Sequence, residues 1–121
     1  MEVALDSSFI IICVKNHVDF LGKLYEDGFR VVVTREVMQE LKDLRTKVSH
    51  VDRVAVDIAL RLLEGNNVEK IRLGKRSVDE GLIALGRKGA YIATADAAIK
   101  RAVPNRVVFV SATKSLMVER D

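Results

Sequence analysis

Apolar and polar positions along the chain fall into short blocks that predict strand and helix in turn. Val3-Ala4-Leu5 predicts a strand that ends on Asp6-Ser7-Ser8, and a second apolar run, from Phe9 to Val14, follows it. Over 18–26, Val18, Leu21 and Leu24 with Tyr25 share one helical face, and Asp27-Gly28 closes the helix. Phe29-Arg30-Val31-Val32-Val33 is β-branched and reads as a central strand. Thr34 suits the N-cap of a helix over 35–45, with Val37, Met38, Leu41 and Leu44 as its apolar positions. The clearest helical period lies at 51–64, where Val51, Val54, Ala55, Ile58, Ala59, Leu62 and Leu63 recur three and four apart. Gly65-Asn66-Asn67 stops it. Residues 68–73 alternate imperfectly and predict a partly exposed edge strand. Ser77-x-x-Glu80 is a capping box that opens a helix over 78–87. After Gly89, Ala90-Tyr91-Ile92-Ala93 predicts a buried strand, Thr94-Ala95-Asp96 a connection, and 97–102 a short helix capped by Asp96. Val103-Pro104-Asn105 is a loop, 106–110 the last strand, and 111–117 a short terminal helix or turn.

Five predicted strands alternate with helices. That pattern predicts an α/β fold: a three-layer sandwich with a central, mostly parallel sheet of about five strands, as a single domain over 1–121. Right-handed crossovers bring the carboxyl ends of the parallel strands to one edge, where open sheets of this kind place their ligands.

Composition narrows the class. A chain of 121 residues, 49% hydrophobic and 31% charged, can bury a core without staples. One cysteine, Cys13, excludes an internal disulfide and a multi-cysteine zinc site. It lies inside an apolar run and is expected to be a small buried hydrophobe. Met1-Glu2 runs directly into the first strand and no apolar run reaches membrane-spanning length, so the expectation is a cytoplasmic protein with no membrane association. A net charge of +3 permits nucleic-acid binding without proving it. The segment 42–53, with Lys42, Arg45, Lys47, His50 and Arg53, reads either as a solvated loop or as a rim that tracks phosphates.

The candidate chemistry is carried by acids. Asp6 and Asp96 each follow a strand directly, while Glu40 and Asp79 lie on helices able to lean over the same sheet edge. Taken singly, each acid has an ordinary role: Asp6 in a turn, Asp96 as a cap, Asp79 in a first helical turn. Glu40 fits a surface ion pair with Arg45 or Lys47 equally well. Four carboxylates meeting at one edge repel one another unless a cation joins them, and a hard-oxygen set suits Mg²⁺ or Mn²⁺. Such a cation polarises a phosphodiester and activates water. His17 and His50 lie in polar stretches and are not needed for this chemistry. No glycine-rich phosphate loop is present. A phosphatase-like use of Asp6 as phosphate acceptor lacks its second carboxylate, because Ser8 stands there.

The segments VALDSSFII, VVVTREVMQELKDL, SVDEGLIALG, YIATADAAIKRA and VVFV resemble, in order and spacing, those of PIN-domain ribonucleases over nearly the whole chain. The resemblance is strongest to archaeal relatives of the ribosomal-RNA-processing PIN proteins, with VapC-type toxins as the other branch. It implies metal-dependent hydrolysis of single-stranded RNA. The family's acids fall on Asp6, Glu40, Asp79 and Asp96, and Thr94 matches the hydroxyl of its Thr-x-Asp motif. By resemblance, Asp6, Asp79 and Asp96 hold Mg²⁺ or Mn²⁺ directly or through water, Glu40 orients the attacking water, and Glu80 either shares the work of Asp79 or does not. Arg35, Lys75, Arg76 and Lys100 would hold the RNA backbone. Ser8 and Ala95 stand where many members carry Asn; Ser8 keeps a hydroxyl for a neighbouring carboxylate, whereas the Ala95 side chain offers nothing, and weak activity or a non-catalytic RNA-binding module would follow. Partners implied by the resemblance are RNA, a second copy in a homodimer, and an antitoxin or a ribosome-assembly protein.

Overall fold

The computed structural model describes residues 1–121 as six strands and six helices. In chain order these are β1 (Glu2–Leu5), α1 (Ser7–Lys15), α2 (Phe20–Glu26), β2 (Arg30–Thr34), α3 (Arg35–Leu44), α4 (His50–Gly65), β3 (Glu69–Ile71), α5 (Val78–Arg87), β4 (Tyr91–Ala93), α6 (Ala97–Ala102), β5 (Arg106–Val110) and β6 (Ser115–Glu119). One sheet runs in the order β3-β2-β1-β4-β5-β6. Its first five strands are parallel and β6 pairs antiparallel with β5. The fold is α/β and three-layered, as the pattern predicts.

The strand period of two sorts side chains between two cores. Val3, Leu5, Val31, Val33, Tyr91 and Ala93 face the larger one, under α1 to α4. Ala4, Val32 and Ile92 face the smaller one with Leu82 of α5 and Ile99 of α6. Both faces of β1, β2 and β4 are covered, which is why these strands read as apolar runs rather than alternations.

The chain leaves β1 to build β2 and β3 on one side, then returns to lay β4 and β5 on the other. The order therefore reverses between β1 and β4. At such a switch point the crossovers diverge and leave a crevice outside the carboxyl ends of the strands. Asp6 and Thr94 stand at those two ends.

Three expectations from the sequence are corrected. The segment expected as a terminal helix or turn is a turn followed by β6, so the sheet has six strands. Leu116 and Val118 pack inward at strand spacing, a period too brief to stand out beside the polar Ser115 and Glu119. The Phe9 run, for which the apolar pattern alone names no element, forms α1, with Phe9, Ile10 and Cys13 on its buried face and Asp6 as its cap. The helix expected from Val18 starts at Phe20, where Asp19 accepts from the Gly22 N–H (3.0 Å). Its Tyr25 is exposed and donates its hydroxyl to the Asn66 carbonyl. On α4 the buried stripe is Ala55, Val56, Ala59 and Leu63, while Val51, Val54 and Ile58 face solvent. The edge-strand expectation holds in β3, which pairs only with β2.

Cys13 is fully buried, and burial pushes its thiol up to about 12, so it behaves as a small hydrophobe. Gly86 lets α5 lie close on β4, because a Cβ there would stand 2.5 Å from a Val103 methyl and 3.1 Å from Ile92. Gly65, at the end of α4, has nothing within 4 Å of that position. Gly86→Val is expected to destabilise the fold by about 1–3 kcal/mol through overpacking. Gly65→Ala should be neutral or stabilising by up to about 1 kcal/mol. Urea unfolding of the two variants measures both, and equal midpoints would show that the close approach at Gly86 is not limiting.

Candidate active site

Asp6 is the centre of the carboxyl edge. It ends β1, caps α1, and is only 5% exposed. Its Oδ1 accepts from the Ser7 N–H (2.8 Å); its Oδ2 accepts from the Ser8 hydroxyl (3.1 Å) and from the Thr94 hydroxyl (2.6 Å). Three donors hold one nearly buried carboxylate, so both of its oxygens have partners within the protein where water is excluded. Thr94 is fully buried and follows β4; its hydroxyl oxygen also accepts from the Asp96 N–H (3.0 Å). Through Thr94, then, β1 and β4 fix the relative placing of Asp6 and Asp96.

Asp96 caps α6 by accepting from the Ala98 and Ile99 N–H groups (2.8 and 3.1 Å) with Oδ1 alone. Its Oδ2 makes no hydrogen bond inside the protein, so the ordinary capping role and a ligand role use different oxygens. Ser8 binds Asp6 and its oxygen accepts from the Ala95 N–H (3.1 Å). Position 95 thus contributes its backbone to the site and leaves its methyl group outside.

Glu40 reaches the edge from α3. It pairs with neither Arg45 nor Lys47: Arg45 binds Asp57 instead, and Glu40 accepts from the Ser7 hydroxyl (3.1 Å). Its carboxyl is raised above the usual range, first by desolvation, with Asp6 and Asp79 adding like-charge repulsion against the Ser7 bond. Asp79, exposed in the first turn of α5, is also raised by desolvation, then by Asp96 and Asp6. These couplings run through all four acids, so the structure brings Asp6, Glu40, Asp79 and Asp96 into one electrostatic cluster. None of the four takes part in an ion pair.

Other acids behave differently. Glu36 accepts from the Leu73 N–H (3.0 Å), which lowers its carboxyl and ties the loop after β3 to α3. No signal in the sequence marks that long-range bond, nor the Ser7 contact to Glu40. Glu80 is exposed; its N–H donates to Ser77, but its carboxylate returns no bond, so half of the capping box forms. Of the cations expected at the rim, Arg35 directly follows β2, and Lys75 and Arg76 lie in the exposed turn before α5. Lys100 is half-buried on α6, and none of the four forms an ion pair. His17 and His50 are both exposed.

Asp6, Glu40, Asp79 and Asp96 are the donors this edge can offer a cation. No three of these side chains stand ready to enclose an ion. The set is all oxygen, mutually repelling and without a cationic partner. Mg²⁺ and Mn²⁺ are held by one or two carboxylates with water and phosphate completing the shell, so an open cluster fits them better than it fits a fully protein-ligated ion.

A family model described as "PIN like domain" matches residues 3–114. The chain belongs to this PIN-like family. It is 30% identical to Ribonuclease VapC9 of Archaeoglobus fulgidus over 120 residues, which is 95% of this chain and 87% of that protein. Its fold superposes on the PIN domain endonuclease Utp24 with a TM-score of 0.77, covering 99% of this chain and 92% of the other at 20% identity. The family expectation is thereby met, and the Utp24 likeness bears out the fold.

Two outcomes follow from the geometry. Thr94→Val leaves a nearly buried carboxylate short of one donor and the Asp96 N–H without its acceptor, so urea unfolding should show a loss of about 1–3 kcal/mol, with Thr94→Ser close to wild type. Glu40 carries a raised carboxyl, so its ionisation costs stability once the pH rises through its folded value. Glu40→Gln should therefore raise the metal-free melting temperature at pH 7.5. The gain should vanish at pH 3, where Glu40 is protonated in both states. A gain that persists at low pH would place its origin outside the charge cluster.

Proposed function

We propose that this protein is a divalent-metal-dependent endoribonuclease that hydrolyses phosphodiester bonds in single-stranded RNA. The observation that carries the reading is the convergence of four unpaired carboxylates at the switch point of the sheet. Asp6, Asp79 and Asp96 would hold the ion, Asp96 through the oxygen its cap leaves free. Bound there, Mg²⁺ or Mn²⁺ would supply the positive charge that polarises the phosphodiester and makes water acidic. Glu40 accepts from the Ser7 hydroxyl with one oxygen, which leaves the other to orient the attacking water and receive its proton. Its raised carboxyl makes it a better proton acceptor than an ordinary glutamate. Thr94 and Ser8 hold Asp6 in place through their hydroxyls. Arg35, Lys75, Arg76 and Lys100 flank the edge as backbone contacts for RNA.

Two cellular roles compete. Ribosomal-RNA processing is supported by the resemblance of the sequence segments. A VapC-type role with an antitoxin partner is supported by the 30% identity to a VapC ribonuclease. Growth arrest on expression, relieved by a co-expressed neighbouring small protein, supports the second; unimpaired growth with altered ribosomal-RNA precursors supports the first.

The direct test is cleavage of a labelled single-stranded RNA with Mn²⁺ or Mg²⁺ by wild type and by Asp96→Asn. Asn is as good an N-cap as Asp, so the variant is expected to fold. Loss of cleavage by at least about 100-fold is expected, the order of effect for removing a group that stabilises developing charge. RNA binding without cleavage by wild type in either metal would instead make the protein a non-catalytic RNA-binding module.

A further inference from the structure

Several open grooves on the surface combine apolar walls with cations, one of them over α4 with Val51, Val54 and Ile58 beside Lys15, and two others bear on RNA. One lies on α5, lined by Arg76, Glu80, Ile83, Ala84, Arg87 and Lys88, and includes none of the four clustered acids. The other runs along α1 from the acid cluster. Its first part, about 300 Å³, is lined by Ser7, Glu40, Asp43, Leu44 and Lys47. Its second part, about 440 Å³, is bounded by Ser7, Ser8, Ile11, Ile12, Lys15 and Asn16, with Leu44 closing it. Ser7 and Leu44 line both parts, so the two adjoin along α1. Ser7 also hydrogen-bonds Glu40, and Ser8 hydrogen-bonds Asp6, so the groove opens into the acids.

Ile11, Ile12 and Leu44 are half-buried: their inner sides pack on the core and their outer sides form the groove floor. Lys47 stands over one end and forms no ion pair; Lys15 stands over the other and shares its charge with Asp52 (2.7 Å). At the Lys47 end Glu40 and Asp43 share the lining, so phosphates are confined to the two ammonium groups themselves and the apolar floor of Ile11, Ile12 and Leu44 takes the base or ribose of an unpaired nucleotide. A duplex keeps its bases stacked inside and cannot lay them on such a floor.

We propose that the α1–α3 groove is the track by which single-stranded RNA leaves the acid cluster, with Ile11, Ile12 and Leu44 as the base-contacting floor and Lys47 and Lys15 as phosphate contacts. The proposal rests on the ribonuclease reading for its direction and adds a substrate subsite to it. It assigns selection for unpaired RNA to residues outside the catalytic cluster.

The experiment uses Lys15→Ala/Lys47→Ala in the full chain, with Arg87→Ala/Lys88→Ala as the matched pair in the other groove. Both pairs are exposed and should fold; the Lys15–Asp52 ion pair is too exposed to be decisive for stability. Binding of a fluorescent oligouridylate without metal is measured against salt. Removing two phosphate contacts from a single strand should lower the salt slope by about 1.4. The α5 pair should leave it unchanged. With Mn²⁺, the lysine pair should raise KM for the oligouridylate by about tenfold with kcat held, the loss of two exposed charge contacts made equally with substrate and transition state. Hydrolysis of bis(p-nitrophenyl) phosphate, too small to reach the groove, should match wild type. An unchanged salt slope in the lysine variant overturns the track, as does an equal loss on duplex RNA, or RNA binding that is intact while an antitoxin-like peptide alone loses affinity. If neither substrate is hydrolysed by wild type, the ribonuclease reading fails while the salt slope still decides the groove.

Discussion

The hydrogen bond from the Thr94 hydroxyl to Asp6 is the interaction on which the rest of the site depends. It joins residues 88 positions apart, in the one place where the strand order reverses, and both partners are nearly or fully buried. Burial makes the bond expensive to lose, since a carboxylate hidden from water must be satisfied within the protein. No buried side-chain oxygen or nitrogen in the molecule lacks a partner, so the polar edge is fully satisfied although it is held between two apolar cores.

Around that bond the acids divide into two kinds. Asp6 and Asp96 are fixed by hydrogen bonds from backbone and hydroxyl groups, whereas Glu40 and Asp79 lean in from separate helices and are raised by what they meet. Capping and clustering are therefore compatible: the cap uses one oxygen of Asp96 and leaves the second without a partner in the protein. Ser8 and Ala95 show the same economy. The hydroxyl of Ser8 spans Asp6 and the Ala95 N–H, so the link between β1 and the Thr-x-Asp segment is made with a short side chain and a backbone amide.

Much of this was legible from residue order. Apolar runs covered on both faces gave the parallel strands, and Thr34, Ser77 and Asp96 marked the helix starts by cap chemistry. The site acids could be named because three of them sit at strand ends or helix starts, positions that local patterns specify. What stayed hidden depends on contacts between distant segments. The bond from Ser7 to Glu40 and that from the Leu73 N–H to Glu36 span 33 and 37 positions with no local signature. Strand β6 was missed because its inward residues are only two, and edge pairing to β5 decides its state. On α4, helical periodicity identified the helix but not its buried face, since Val51, Val54 and Ile58 continue the apolar pattern into solvent.

The balance of charge gives the site a preferred order of assembly. The chain as a whole carries +3, which draws a polyanion, yet its carboxyl edge concentrates four acids that repel one. On the proposed function, a phosphodiester brought to that edge would meet like charge until a cation stood between them, and the cation would offset the desolvation and the like-charge repulsion that together raise Glu40 and Asp79. Affinity for the cation and affinity for the phosphate would then be coupled through the same carboxylates. Each would tighten the other, with the basic rim holding the strand and the acid edge accepting the phosphate once the charge is balanced.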